Sequence, residues 1–175
     1  MRTILLKTIL LMLMLNGIPF LILAQKNIQK QAENDTKTWK YEIEAVNVGV
    51  QGTYLIKVWT YSPSPQVAVE QSKKNAIHGI IFKGFAGKQG VPGEKALASD
   101  PNAELTHQDF FDSFFSNGGK YMKFVNLTND GAIDYLDIIK MGKEFKIGLI
   151  VSVNVSELRK DLEDGGIIKS LSSGF

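Results

Sequence analysis

His107, Asp109 and Asp112 form one group of residues whose types and spacing could do chemistry. An imidazole with carboxylates close by in sequence can act as a general base or hold a metal. The same carboxylates are also what the first turn of a helix attracts through its dipole. A second group, Asn126, Thr128, Asp130, Asp134 and Asp137, puts oxygen-bearing side chains at the spacing of a calcium loop, with Gly131 and Ile133 in supporting positions. Asn at the first position and Asp at the last depart from that pattern, and the preceding residues read as a strand, not an entering helix. An Asn-Asp-Gly turn between strands accounts for them more simply. A third stretch, Gly84 to Gly93, is glycine-rich, but Lys88 is followed by Gln89 where a phosphate-binding loop needs Ser or Thr, and the stretch follows a helix. Phe85, Lys88 and Val91 in it are candidate binding residues on a pliable backbone. No cofactor is expected.

Composition removes other chemistries. The 175 residues include 2 His and no Cys, so disulfides, zinc–thiolate sites, thiol catalysis and a lipidated N-terminal cysteine are excluded. No nucleophile-elbow or metalloprotease motif is present. The first 24 residues read as a secretory signal peptide: Arg2 and Lys7, an apolar run from Thr8, a break at Asn16-Gly-Ile-Pro19, and a cleavage site after Ala24. Its apolar stretch of 16 residues is shorter than the roughly 20 that a spanning helix needs. Without Arg2 and Lys7 the chain balances 18 basic against 18 acidic residues, which leaves no basic footprint for nucleic acid. No stable membrane span is expected after cleavage.

Residues 25–38 are polar and are expected to form a flexible leader. A single domain is expected over 39–175. Trp39 to Tyr61 reads as two strands around a turn near Gly52, from the alternation in Tyr41-Glu-Ile-Glu-Ala45 and the β-branched and aromatic run after it. Ser64 and Pro65 suit the N-cap and first turn of a helix running to about Phe82, with Glu70, Lys73 and Lys74 facing water. From Gly84 to Leu105 no period is sustained, which predicts a long loop. A short helix follows, carrying an apolar stripe of Phe110, Phe111, Phe114 and Phe115. Tyr121 to Leu127 reads as a third strand, and Ile133–Lys140 with Phe145–Val155 as a hairpin whose second arm, with Ile150 at its middle, is the most apolar and central. Ser156 is expected to cap a last helix ending at Gly165. The sum is an α+β two-layer sandwich, mainly an antiparallel sheet of four to five strands with two main helices and one short one.

The stretch KVWTYSPSPQVAVEQSKKNAIHGIIFKGF (57–85), with the ending LRKDLEDGGIIKSLSSGF, resembles uncharacterised exported proteins of Bacteroidetes-type bacteria. The resemblance covers about a third of the chain, carries no functional motif, and implies a periplasmic or secreted, cell-envelope setting. Two functions remain open. One is a non-catalytic envelope protein that binds an envelope protein partner or stabilises an assembly. The other is a small envelope hydrolase using His107 with Asp109 or Asp112. Catalysis requires His107 in a cleft beside a second polar group with a perturbed pKa. Binding requires an exposed apolar patch or sheet edge.

Overall fold

The computed structural model describes residues 23–32, 34, 38–50, 52–88 and 90–170. Its fold is α+β. Residues 23–32 are helical (α1), followed by β1 (Tyr41–Val48), β2 (Thr53–Ser62), α2 (Pro65–Phe82), α3 (Ala103–Thr106), α4 (Gln108–Phe114), β3 (Val125–Leu127), β4 (Ile138–Met141), β5 (Glu144–Asn154) and α5 (Val155–Asp164). The sheet runs β1-β2-β5-β3, with β4 also on β5, and every pairing is antiparallel.

β2 and β5 form the middle of the sheet, in register from Thr53↔Asn154 to Ser62↔Phe145. Strand side chains alternate between faces. Ile56 and Val58 of β2 and Ile147, Leu149, Val151 and Val153 of β5 are buried against α2. The other face carries Lys57, Trp59, Tyr61, Lys146 and Ile150. The expected central strand is central, but Ile150 sits half-buried on the outer face and its neighbours Leu149 and Val151 fill the core. Gly148 is required where Trp59 crosses β5: a Cβ there would lie 2.9 Å from the indole.

α2 begins as its sequence dictates. Ser64 is extended, its side chain accepts from Val67 N, and Pro65 occupies the first turn. Twelve of its 18 residues are buried, including Gln71, Ser72, Lys74, Asn75 and His78. Lys74, expected in water, is covered because the aromatic segment after α3 packs over the far side of the helix, where Phe82 meets Phe111, His78 meets Phe115 and Lys74 lies 5.8 Å from the Tyr121 ring. Gly79 lets β1 come close: a Cβ there would collide with Ile43 Cδ1.

The segment after α2 is ordered, contrary to its lack of period. Residues 85–88 and 91–94 pair as the arms of a small hairpin through reciprocal backbone hydrogen bonds between Phe85 and Glu94 and between Lys88 and Val91. Its return arm then donates Leu97 N–H to Ile80 O (3.1 Å) and Ala98 N–H to Ile81 O (2.9 Å). Those carbonyls belong to the last turn of α2 and have no intrahelical donor, so tertiary hydrogen bonds hold the segment in place of a local pattern.

Three smaller expectations shift. Tyr121–Lys123 lies in a 3₁₀ turn (Lys120–Lys123), leaving a three-residue β3. Asn154, not Ser156, caps α5 by accepting from Glu157 N. Residues 23–32 are helical where a flexible leader was expected from residue 25, with Ala32 buried and the Gln29 amide oxygen accepting from Asn117. Almost all of the expected signal peptide lies outside the described residues.

The register separates two adjacent substitutions. Leu149→Asp, which buries an unpaired carboxylate, is expected to lower stability by about 3 kcal/mol or more. Ile150→Asp, on the half-open face, should cost under about half as much in urea denaturation. Equal losses would contradict the assignment of the two faces.

Candidate functional site: an exposed apolar sheet edge

Asp134 starts this site by accepting Leu136 N–H at 2.9 Å, which closes a 3₁₀ turn over Tyr135–Asp137. Ile138 N–H then donates to Tyr135 O, and Asp137 is anchored by Lys57 at 2.6 Å. The chain runs on as β4, pairs with β5 from Ile138↔Ile147 to Met141↔Glu144, and turns at Gly142 and Lys143, with Gly142 in the left-handed region (φ 66). Every residue of β4 is exposed. Tyr135 is 79% exposed, Leu136 68%, Ile138 37%, Ile139 43% and Met141 50%. Five large apolar side chains thus lie in water along seven residues.

Among the described residues β4 pairs with β5 alone, along one side. In an antiparallel pair the directly opposed residues alternate between exchanging hydrogen bonds and pointing them away. Met141↔Glu144 closes the two-residue turn as a bonded pair, so Lys140 directs its N–H and C=O outward from the sheet. Unpaired backbone beside apolar side chains is a template for another strand.

The opposite edge of the sheet is blunted along Tyr41–Asn47, although Val46, Val48 and Val50 beside and beyond the bulge are exposed. β1 carries a bulge between Ala45 and Asn47 and alternates with Glu42 and Glu44. Those carboxylates join a network over the outer face. Glu42 accepts from Lys146 (2.8 Å) and Tyr61 (2.9 Å), while Glu44 accepts from Lys88 and from Trp59 Nε1 (2.6 Å). Lys146 and Lys88 respectively hold these two carboxyls below the ordinary range. Bulges and charges are two ways proteins blunt an edge. β4 has no bulge, and its one charge is Lys140.

The residues singled out from sequence are dispersed. His107 lies between α3 and α4 in a shallow depression of about 450 Å³ formed by 105–110, and Asp109 and Asp112 are exposed. Among the described residues no hydrogen bond or ion pair joins His107 to either carboxylate. Phe85 is buried in the core with its ring edge-on to Tyr54, Val91 packs against the same core, and Lys88 pairs with Glu44. The 126–137 segment does not gather its oxygens. Asn126 lies on β3, the Thr128 hydroxyl donates to Ile150 O, Asp134 caps, and Asp137 pairs with Lys57. Asn129 and Asp130 stand at positive φ in the turn. No cluster of three or more His, Asp or Glu suited to a metal occurs among the described residues.

His78, which its place near the apolar face marks as a core or boundary residue, is the centre of a buried polar cluster. Its Nδ1 lies 2.5 Å from the Tyr41 hydroxyl and its Nε2 3.4 Å from Glu104 Oε2. Trp39 stacks on the imidazole at 3.7 Å and donates Nε1–H to Glu104 at 3.1 Å. Burial pushes the Tyr41 phenol far up, so Tyr41 donates to Nδ1 and the imidazole proton sits on Nε2, facing Glu104. Burial, with Lys83 acting in the same direction, pushes His78 down to about 3, while burial pushes Glu104 up. The imidazole is a neutral structural link closed over by an indole. No sequence signal connects Trp39 and Glu104 to it, because both arrive through tertiary contacts.

No family model, no curated protein and no solved structure matches this chain. No helix among the described residues is long and apolar enough to cross a membrane.

A neutral buried His78 has a consequence for pH. The unfolded chain binds a proton there below about 6.5, and the folded chain not until about pH 3. Stability therefore rises with pH across that window, and lowering the pH from about 7.5 to about 5 should remove roughly 2 kcal/mol. Glu104, pushed up, opposes this just above its own ordinary range and makes the slope shallower there. His78→Phe should flatten the dependence, measured as urea midpoints at the two pH values. An equally steep profile in the variant would show that other groups carry it.

Proposed function

We propose that this protein is a non-catalytic, exported envelope protein that binds a protein partner through the β4 edge. The observation that carries the reading is the run of Tyr135, Leu136, Ile138, Ile139 and Met141 exposed beside an unpaired strand edge. Contiguous apolar side chains of this kind mark interaction surfaces in soluble domains. The reading is also supported by what the hydrolase alternative would need. A catalytic imidazole requires a partner to orient it and a closed site, and His107 lies in an open depression without a carboxylate bound to it among the described residues. The export setting rests on the N-terminal sequence and on the resemblance described above.

The test is affinity purification of tagged protein from the native envelope, comparing wild type with Ile139→Lys. Ile139 is exposed, so the substitution should leave the melting temperature within about 2 °C. A protein retained by wild type and lost from the variant is the expected result. Equal retention by both would move the binding surface elsewhere.

A further inference from the structure

We propose that the strand which adds to β4 is acidic: an extended segment that alternates apolar side chains with carboxylates, the carboxylates facing Lys140, with Lys143 in the turn beyond it adding positive charge nearby. This rests on the reading of β4 as a docking edge and adds the chemistry of its occupant.

The charge distribution points to that chemistry. On the sheet and its flanks, Lys40 pairs with Glu144, Lys57 with Asp137, Lys88 with Glu44 and Lys146 with Glu42. Each of these cations is spent within the fold. Lys140 and Lys143, on β4 and its turn, have no ion-pair partner among the described residues. The two unspent cations of this region therefore stand at the edge whose backbone is open.

The register says how the charges are presented. Ile138 and Lys140 lie opposite Ile147 and Phe145, on the α2 side of the sheet, while Ile139 and Met141 lie opposite Lys146 and Glu144 on the outer side. An incoming antiparallel strand would pair its own N–H and C=O with those of Lys140. On the α2 side it would set a side chain opposite Lys140, where a carboxylate is favoured. On the outer side it would set apolar side chains opposite Ile139 and Met141. Alternation follows from the two-residue period of the strand.

The same features disfavour a second copy of this chain. The symmetric pairing centred on Lys140 sets two lysines directly opposite each other, which is repulsive. The pairing shifted by one step uses Ile138, whose N–H is already given to Tyr135 O. A lysine on an edge strand also discourages self-association, so one residue rejects a like edge and accepts an acidic one.

The experiment uses the purified protein and two fluorescein-labelled octapeptides, one alternating valine with glutamate and one alternating valine with lysine. Binding is read by fluorescence anisotropy. Wild type should prefer the glutamate peptide by about tenfold, the gain available from an exposed ion pair at Lys140 and the nearby charge of Lys143, and the preference should shrink at high salt. Lys140→Glu with Lys143→Glu should reverse it. Lys140→Pro removes an outward N–H that β5 does not use, and should abolish binding of both peptides. If the proline variant fails to fold, the charge reversal carries the test.

Equal binding of both peptides, lost together in Ile139→Lys, would overturn the acidic assignment and leave the docking edge standing. So would silence toward both peptides while envelope capture remains sensitive to Ile139→Lys. A concentration-dependent dimer in sedimentation, abolished by Ile139→Lys, would overturn it in favour of a second copy. No peptide binding, together with envelope capture insensitive to Ile139→Lys, would remove both readings.

Discussion

A helix that is buried on nearly every side while carrying polar residues constrains everything around it. α2 lies between the inner face of the sheet and the aromatic segment from α4 onward, and Gln71, Ser72, Lys74, Asn75 and His78 go into the interior with it. A buried polar group without a hydrogen bond costs about 1–3 kcal/mol, a sizeable share of the stability of a small domain. The surroundings meet part of that demand, although Gln71 Oε1 and Asn75 Oδ1 are left without a partner among the described residues. Thr60, fully buried on β2, meets both Ser72 (3.1 Å) and Asn75 (3.1 Å). Tyr41 on β1 must bring a hydroxyl to His78, and Tyr121 a ring toward Lys74.

The ends of α2 impose the next requirement. Its last carbonyls need donors, and the hairpin at 85–94 exists to return the chain to them through Leu97 and Ala98. Near the same end, Trp39 stands in the left-handed region at φ 45. A bulky residue there costs about 1–3 kcal/mol and persists only when its surroundings over-determine it. They do: the indole stacks on His78, its N–H goes to Glu104, and its carbonyl accepts from Lys83 at 3.4 Å. Backbone strain at the entry to β1 is thus offset by the cluster that closes over His78.

The extent to which this was legible in the sequence follows from where the information lies. β1, β2, α2 and the turn of the β4–β5 hairpin could be read because their signals are local: alternation at Tyr41–Ala45, Ser64 and Pro65 at a helix start, and glycine at position 142 in a two-residue turn; the hairpin's first arm, expected from Ile133, begins only at Ile138, because Asp134 caps a 3₁₀ turn over Tyr135–Asp137. The 84–102 segment could not, because what orders it is the open C-terminus of α2, which leaves no period in the segment itself. Lys74 was misplaced because helical periodicity locates one buried face, and the second layer over α2 is a tertiary fact. The β4 edge was half legible. Its strand character shows in Ile138 and Ile139, but their exposure depends on β5 accepting β2 along one side and only the short β3 and β4 along the other.

That topology bears on why the edge is apolar. A hairpin closed at Gly142 and paired with β5 would form equally well with polar residues at the exposed positions, since β-propensity reflects packing on a half-buried surface more than backbone preference. Ile147, Leu149 and Phe145 already supply the apolar contacts that seat this part of the sheet beneath Ala68 and Val69 of α2. Leu136, Ile139 and Met141 add little to that cluster, because about half or more of each side chain remains in water. Over the first half of the β1 edge the same chain uses two glutamates and a bulge, so the means of blunting an edge were available within this fold, although Val46, Val48 and Val50 remain exposed. Packing inside the domain does not account for apolar side chains at the β4 edge, and the partner contact proposed above would. On that proposal the lone lysine among them sets the terms of the contact: the edge would take another strand, and the charge of that strand would matter.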